Sequence, residues 1–167
     1  LLRFINSSGF GLSREITSFR HAVMILGLKK LFRWAVLLMT TSPSDVTGPV
    51  VANAAVVRGR LMELLASELL PPDECDNAFV TGVFSLLDQM LGIPLDEALK
   101  SISLPEVVVE ALVHRAGKLA PFLELTEACE SANDEAFAKA ANALLLSNQQ
   151  VNWAHLQALA WTDAMTA

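Results

Sequence analysis

The chain has 167 residues, a formal net charge of −6 and 53% hydrophobic residues. This length suits one domain, and such a domain can bury a core without a metal ion or a disulfide. The acidic balance argues against a nucleic-acid partner, because the basic cluster of Lys29, Lys30 and Arg33 is small. No apolar run approaches the roughly 18 residues of a membrane span, so we expect no membrane partner.

The first part of the chain predicts short helices around a glycine-containing loop. Residues 1–6 are typical of a helix end, and 7–16 form a predicted loop. Two helices are predicted over 17–27 and 29–39, and a loop rich in Ser, Thr, Gly and Pro follows at 41–49.

The rest of the chain predicts further helices, because no segment alternates with period two for long enough to indicate a strand. In chain order they cover residues 50–70, 73–92, 94–102, 104–117, 119–131, 133–144 and 147–165. Asp73 or Asp76 starts the second of these, while Asn133 and Ser147 are suited to cap the last two. The pattern predicts an all-α fold.

Two isolated cysteines, Cys75 and Cys129, indicate free thiols in a reducing cytosol, and a disulfide between them is the alternative. We therefore expect a cytoplasmic protein. Leu1 is not an initiator methionine, and the chain begins inside a predicted helix. We accordingly expect it to be part of a longer protein.

The N-terminal segment contains a specific pattern. Its elements are LRFINSSGF at 2–10, Ile-Thr-Ser at 16–18 leading to His21-Ala22, Leu26-Gly27 and the stretch 31–34. This pattern resembles the HDOD domain, a regulatory relative of the HD and HD-GYP phosphohydrolases. The resemblance implies structural roles for Asn6, Ser7, Phe10, His21 and Gly27. It also implies an HD-like bundle of crossed helices over 1–167, one domain that lacks its N-terminal helices, with an upstream domain outside the chain.

The metal site of the HD hydrolases uses an adjacent His-Asp pair in a helix, and this chain has no such dipeptide. Aligning Gly92-Ile93-Pro94 with the equivalent family turn puts Leu86 and Leu87 at the degenerate HD position, where we expect both side chains to be largely buried. The preceding helix has Ala54 near another ligand position. Without a tyrosine, the HD-GYP loop cannot form. We therefore expect no catalytic residue, no metal and no cofactor.

The three histidines lie on different predicted helices. His21 would fix a helix entry by hydrogen-bonding the neighbouring loop. His114 suits a solvated helix C-terminus, with a remnant of a catalytic-side loop as the alternative. His155 lies between Trp153 and Trp161 on a predicted helix, and we expect it to occupy an interior or interface position. Both tryptophans are expected to be core or interface anchors.

The segments Gly92 to Gly117 and Leu119 to Ser131 are similar to the HDOD half of bacterial EAL–HDOD proteins. This resemblance implies a non-catalytic regulatory module linked to cyclic di-GMP signalling. The module would dock a protein partner, an upstream domain of the same protein or another copy of itself. The alternatives are a nucleotide or small-ligand sensor in the relic HD pocket and a residual metal-dependent phosphohydrolase. We also expect an exposed apolar surface, contributed by Leu1, Leu2, Phe4, Ile5 and Phe10.

Overall fold

The computed structural model describes residues 48–100, 102, 104–131 and 133–166. Within these ranges the regular elements are eight helices and no strand, which confirms the predicted all-α class. They are α1 (Gly48–Ser67), α2 (Pro72–Phe84), α3 (Leu87–Leu91), α4 (Leu95–Lys100), α5 (Glu106–Val113), α6 (Ala120–Glu130), α7 (Asp134–Ala143) and α8 (Asn148–Thr166). The elements predicted before residue 48 lie outside the described residues and stay predictions.

Helix α1 is the centre of the bundle. It packs most extensively on α2 and then on α8, and it also contacts α3 and α6. Helix α5 packs on α2, and α7 packs on α6. The largest side chains fully buried between these helices are Phe79, Leu61, Met62, Leu65, Leu119, Leu123, Leu125, Val83 and Val108. No helix in the described ranges is both long and apolar enough to cross a membrane.

Helices α1 and α2 cross at a pair of glycines. A Cβ atom added to Gly82 would lie 2.7 Å from the backbone oxygen of Arg58 and 2.7 Å from the Cα of Gly59. A Cβ atom added to Gly59 would lie 2.6 Å from Cγ2 of Val83. The two backbones therefore approach more closely than any other residue pair would allow, since glycine alone has no Cβ.

The predicted caps of the last two helices are confirmed. The side-chain oxygen of Asn133 accepts a hydrogen bond from the backbone N–H of Ala136 at 3.0 Å. The Ser147 hydroxyl accepts from the Gln150 N–H at 3.3 Å, and the Gln150 side chain accepts from the Ser147 N–H at 3.0 Å. This reciprocal pair is a capping box that satisfies donors at the start of α8.

The helix predicted over 73–92 differs from the structure at both its start and its middle. Helix α2 begins at Pro72 with Pro71 as N-cap, so neither Asp73 nor Asp76 starts it. Proline suits the first turn because its φ is preset and its missing N–H would have no helical partner there. The helix then stops at Phe84, and α3 begins after Leu86, whose φ of −111° and ψ of 13° lie outside the helical region.

Two other predicted helix ends fall earlier in the structure. Helix α1 stops at Ser67 rather than near residue 70, and the Ser67 hydroxyl donates to the Leu64 carbonyl at 2.7 Å. Helix α5 stops at Val113 rather than near Gly117. Arg115 there adopts a φ of 51°, and the Ala116 N–H donates to the Glu110 carbonyl at 3.3 Å. This left-handed turn closes the helix end as a Schellman-type cap does.

Candidate functional site

The predicted degenerate HD position lies at the break between α2 and α3. Leu86 is the N-cap residue of α3 and Leu87 is its first residue. Each side chain is only 5% exposed, and both belong to the hydrophobic core. The expected burial of the two leucines is confirmed. Their correspondence to the His-Asp pair of the hydrolases stays a prediction.

An arginine from α1 ties this break to the rest of the bundle. Arg58 donates from Nη1 to the Ser85 hydroxyl at 2.9 Å, one residue before Leu86. It also donates from Nε and Nη2 to the two carboxylate oxygens of Glu130, each at 2.7 Å. The Arg58 side chain is only 12% exposed. This two-pronged pairing is the strongest geometry available to an arginine and a carboxylate.

A second carboxylate extends the network toward α5. Glu127 on α6 lies 3.8 Å from Nη1 of Arg58 and 2.6 Å from Nη1 of Arg115, which follows α5. The Ser85 hydroxyl meanwhile donates to the Gly82 carbonyl at 2.7 Å. The network therefore joins α1, the α2–α3 break, α6 and the segment after α5. Its two arginines and two carboxylates balance in charge, which is typical of a structural ion-pair cluster.

Both cysteines are free in the structure, as predicted. Cys129 is next to Glu130, and burial together with that carboxylate raises the pKa of its thiol to about 11. Burial, and then the nearby carboxylates of Glu63, Asp76 and Asp73, also raise the pKa of the Cys75 thiol. Because the thiolate is the form that attacks electrophiles and binds metals, both groups are poor nucleophiles and poor ligands at neutral pH.

The structure separates the remaining candidate residues. His114 is the exposed C-cap residue of α5, as predicted, and His155 is half-buried on α8. Among the described residues, no three His, Cys, Asp or Glu side chains group as a metal site requires. Two sets of predicted residues lie outside the described ranges. The family-signature set is Asn6, Ser7, Phe10, His21 and Gly27, and the apolar-surface set is Leu1, Leu2, Phe4, Ile5 and Phe10.

The two tryptophans of α8 have opposite environments. The Trp161 ring packs edge-on against Phe79, with ring centroids 6.4 Å apart, and the guanidinium of Arg60 lies 5.2 Å from its centroid. Trp153 instead is 64% exposed and lies on the same outer face as Leu156 and Leu159, which are 60% and 41% exposed. The apolar pattern predicts the helix, but it does not show which of the two tryptophans faces the core.

Comparison with known proteins identifies the family. The HDOD domain family matches residues 1–92, which is more than half of the chain. This chain belongs to the HDOD domain family. The match includes helices α1, α2 and α3, and therefore Leu86 and Leu87, whereas α4 to α8 lie beyond it.

Two curated relatives resemble this HDOD chain. It is 29% identical over 164 residues to YuxH, an uncharacterized protein of Bacillus subtilis, a match that covers 96% of the chain and 39% of the relative. It is 31% identical over 133 residues to the cyclic di-GMP phosphodiesterase CdgJ of Vibrio cholerae, covering 80% of the chain and 31% of that relative. The chain thus spans well under half the length of both relatives. No solved structure gives a significant match.

Proposed function

We propose that this HDOD chain is a non-catalytic regulatory module of a bacterial signalling protein and acts by docking a protein partner. The observation that carries the proposal is the burial of Leu86 and Leu87 at the break between α2 and α3. From the resemblance, we expect the His-Asp pair of the hydrolases to correspond to these two positions. Aliphatic side chains have no ligand atoms for a metal ion, and here they contribute to the packing of the core.

The surrounding ion pairs support a structural use of the same region. A ligand sensor needs polar groups that face a pocket and are available to its ligand. Among the described residues at the break, Arg58 is instead bonded to Ser85 and Glu130, and the buried Oδ1 of Asp88 is left without a hydrogen-bond partner. The pairing of Arg58 therefore favours a rigid scaffold over a ligand pocket at the break between α2 and α3. Docking is a function that such a scaffold supports.

The relative CdgJ supports the link to cyclic di-GMP signalling, because its name describes a cyclic di-GMP phosphodiesterase. The matched part of CdgJ is only 31% of its length. We assign any such hydrolysis in a longer protein to an EAL-type domain outside this chain. In this proposal the present chain regulates or recruits, and it does so in the cytoplasm.

Turnover assays test the non-catalytic assignment. The purified chain is incubated with cyclic di-GMP, and separately with bis(p-nitrophenyl) phosphate, in the presence of Mn²⁺ or Ni²⁺. We expect no hydrolysis above a protein-free control. Hydrolysis that persists through re-purification and disappears when a chelator is added would contradict the proposal.

Substitution of Leu86 and Leu87 tests the structural role of the break between α2 and α3. We expect Leu87→Ala to lower the free energy of unfolding by about 2–5 kcal/mol through lost transfer energy and the cavity left behind. The double variant L86H/L87D, which restores a His-Asp pair, should be destabilised further because it buries polar groups. Leu91→Ala is the matched control, because Leu91 is a 54% exposed leucine on the same helix as Leu87 and a surface change typically costs under about 0.5 kcal/mol. A double variant as stable as the parent in urea would argue against this role.

A further inference from the structure

Helix α8 exposes large apolar side chains together with one acidic residue. The apolar side chains are Trp153, Leu156 and Leu159. Asp163 is the only Asp, Glu, Lys or Arg residue of this helix. It is exposed and lies four positions after Leu159, so the two share one side of the helix. We call Trp153, Leu156, Leu159 and Asp163 the α8 outer face. This surface suits an apolar partner that also carries a basic group.

The chain itself contains a segment of this chemistry. Residues 1–47 carry six Lys or Arg and two Asp or Glu, and thus a formal charge of +4, whereas residues 48–167 carry six and sixteen, and thus −10. The basic cluster of Lys29, Lys30 and Arg33 belongs to the helix predicted over 29–39, which lies outside the described residues. The last six residues of that predicted helix are all apolar. A helix that is apolar on every side needs cover on more than one side.

The end of this segment lies within reach of the α8 outer face. The Gln150 side chain donates to the Glu68 carboxylate at 3.5 Å, and the Arg60 guanidinium lies 5.2 Å from the Trp161 ring centroid. Helices α1 and α8 therefore run antiparallel, and Gly48 lies at the C-terminal end of α8. At about 1.5 Å per residue, Gly48 is about 20–25 Å from the middle of the outer face along the helix axes. The eight residues that join the predicted helix to Gly48 span up to about 26 Å when extended.

We propose that residues 29–39 bind the α8 outer face of their own chain. Arg33 pairs with Asp163, and the apolar residues that follow Arg33 cover Leu159 and Leu156. Opposite charges favour this pairing, and removal of apolar surface from water drives it. Because the segment is tethered, its binding loses far less translational freedom than the association of two molecules, so one helix face is a sufficient area.

This contact has a consequence for the partners of the domain. It closes the α8 outer face to other proteins, so a docking partner must bind elsewhere or displace residues 29–39. The inference goes beyond the proposed function and does not depend on it, because turnover assays decide the non-catalytic assignment separately.

Disulfide formation within the whole chain tests the contact and its direction. With Arg33 opposite Asp163 in an antiparallel pair, Leu37 lies opposite Leu159, because both steps are four positions. We expect Leu37→Cys/Leu159→Cys to form an intramolecular disulfide under mild oxidation, detected by mass spectrometry of the digested chain. Leu37→Cys/Gln157→Cys is the matched control, since Gln157 is exposed but lies about 160° around α8 from Leu159. The control should cross-link at least about tenfold less, because its Cβ atoms point apart. The native thiols give a low background, since both have raised pKa values.

Charge reversal gives a second readout that needs no new thiol. Arg33→Glu and Asp163→Lys should each lower the urea midpoint, and the double variant should recover about half of the summed loss or more, because it rebuilds the ion pair with reversed sign. Glu124→Lys, at an exposed carboxylate on α6, is the control and should give no recovery when combined with Arg33→Glu. Disulfides between two molecules would assign the face to a second copy and overturn the inference. Absent or equal cross-linking of the two cysteine pairs, or no recovery in the charge-reversed double variant, would also overturn it.

Discussion

Replacing Gly82 with alanine probes the crossing of α1 and α2. By helix propensity alone the change should help, because alanine is favoured over glycine by about 0.8–1.0 kcal/mol in a helix interior. The structure predicts the opposite. The added Cβ would lie 2.7 Å from the Arg58 oxygen, 2.7 Å from the Gly59 Cα and 2.8 Å from the Arg58 carbonyl carbon. All three neighbours are backbone atoms, which cannot rotate away as a side chain can.

The magnitude follows from the separation that the new methyl group demands. Carbon atoms in ordinary contact lie about 3.5–4.0 Å apart, so the helices must move apart by about 1 Å at their crossing. Overpacking of this kind typically costs about 1–3 kcal/mol, and rigid neighbours place this case near the upper limit. After subtracting the gain in propensity, we expect Gly82→Ala to lower the free energy of unfolding by about 2 kcal/mol.

Urea unfolding followed by circular dichroism measures this loss. With a slope of about 2 kcal/mol per molar urea, the midpoint should fall by about 1 M. Gly92 supplies the comparison, because its φ is 68° and a Cβ added there would meet nothing within 4 Å. Asparagine tolerates left-handed backbone, so Gly92→Asn should be milder than Gly92→Ala, whereas Gly82→Asn should be worse than Gly82→Ala. A Gly82→Ala chain as stable as the parent would refute the argument from close approach.

Two further predictions concern the ion pairs and the neighbouring thiol. Arg58→Lys should lower the free energy of unfolding by about 1–2 kcal/mol, since lysine cannot reproduce the two-pronged bond to Glu130. Arg115→Lys changes a more exposed ion pair and should cost under about 1 kcal/mol. A larger loss for the Arg115 variant in urea titrations would contradict this ranking. The Cys129 thiol has a pKa raised from 9.0 to about 11 in the folded chain, so its contribution to stability is complete below pH 9 and is lost as the pH rises through 11. Cys129→Ala should accordingly flatten the alkaline decline in the urea midpoint between pH 9 and 11, and an unchanged decline would argue against the shift.

Much of the helical organisation follows from local chemistry. The caps at Asn133 and Ser147 depend on side chains that reach only three residues along the chain, so their positions can be predicted from residue type. The glycine at 92 ends α3 in a left-handed conformation for the same local reason. The burial of Leu86 and Leu87 was predicted as well, although the structure places them at a helix break rather than along one continuous helix.

The break at Ser85 and Leu86 was not predictable from the apolar spacing, which continues through it. Its surroundings include a contact with Arg58, which lies 27 residues away in sequence. The different environments of Trp153 and Trp161 likewise depend on which side of α8 meets the bundle. Helical periodicity shows that a face exists, but it does not show which of two apolar faces becomes buried.

The amino-acid sequence by itself determined the all-α class, the caps at Asn133 and Ser147 and the left-handed end of α3 at Gly92. These features depend on residue type and on spacing within one helix. Only the tertiary structure decided the Gly59–Gly82 crossing, the network that joins Arg58 to Glu130, and the exposure of Trp153, Leu156 and Leu159 on α8. The physical reason is range: these contacts join residues far apart along the chain, and their geometry is set by how whole helices pack around a shared core.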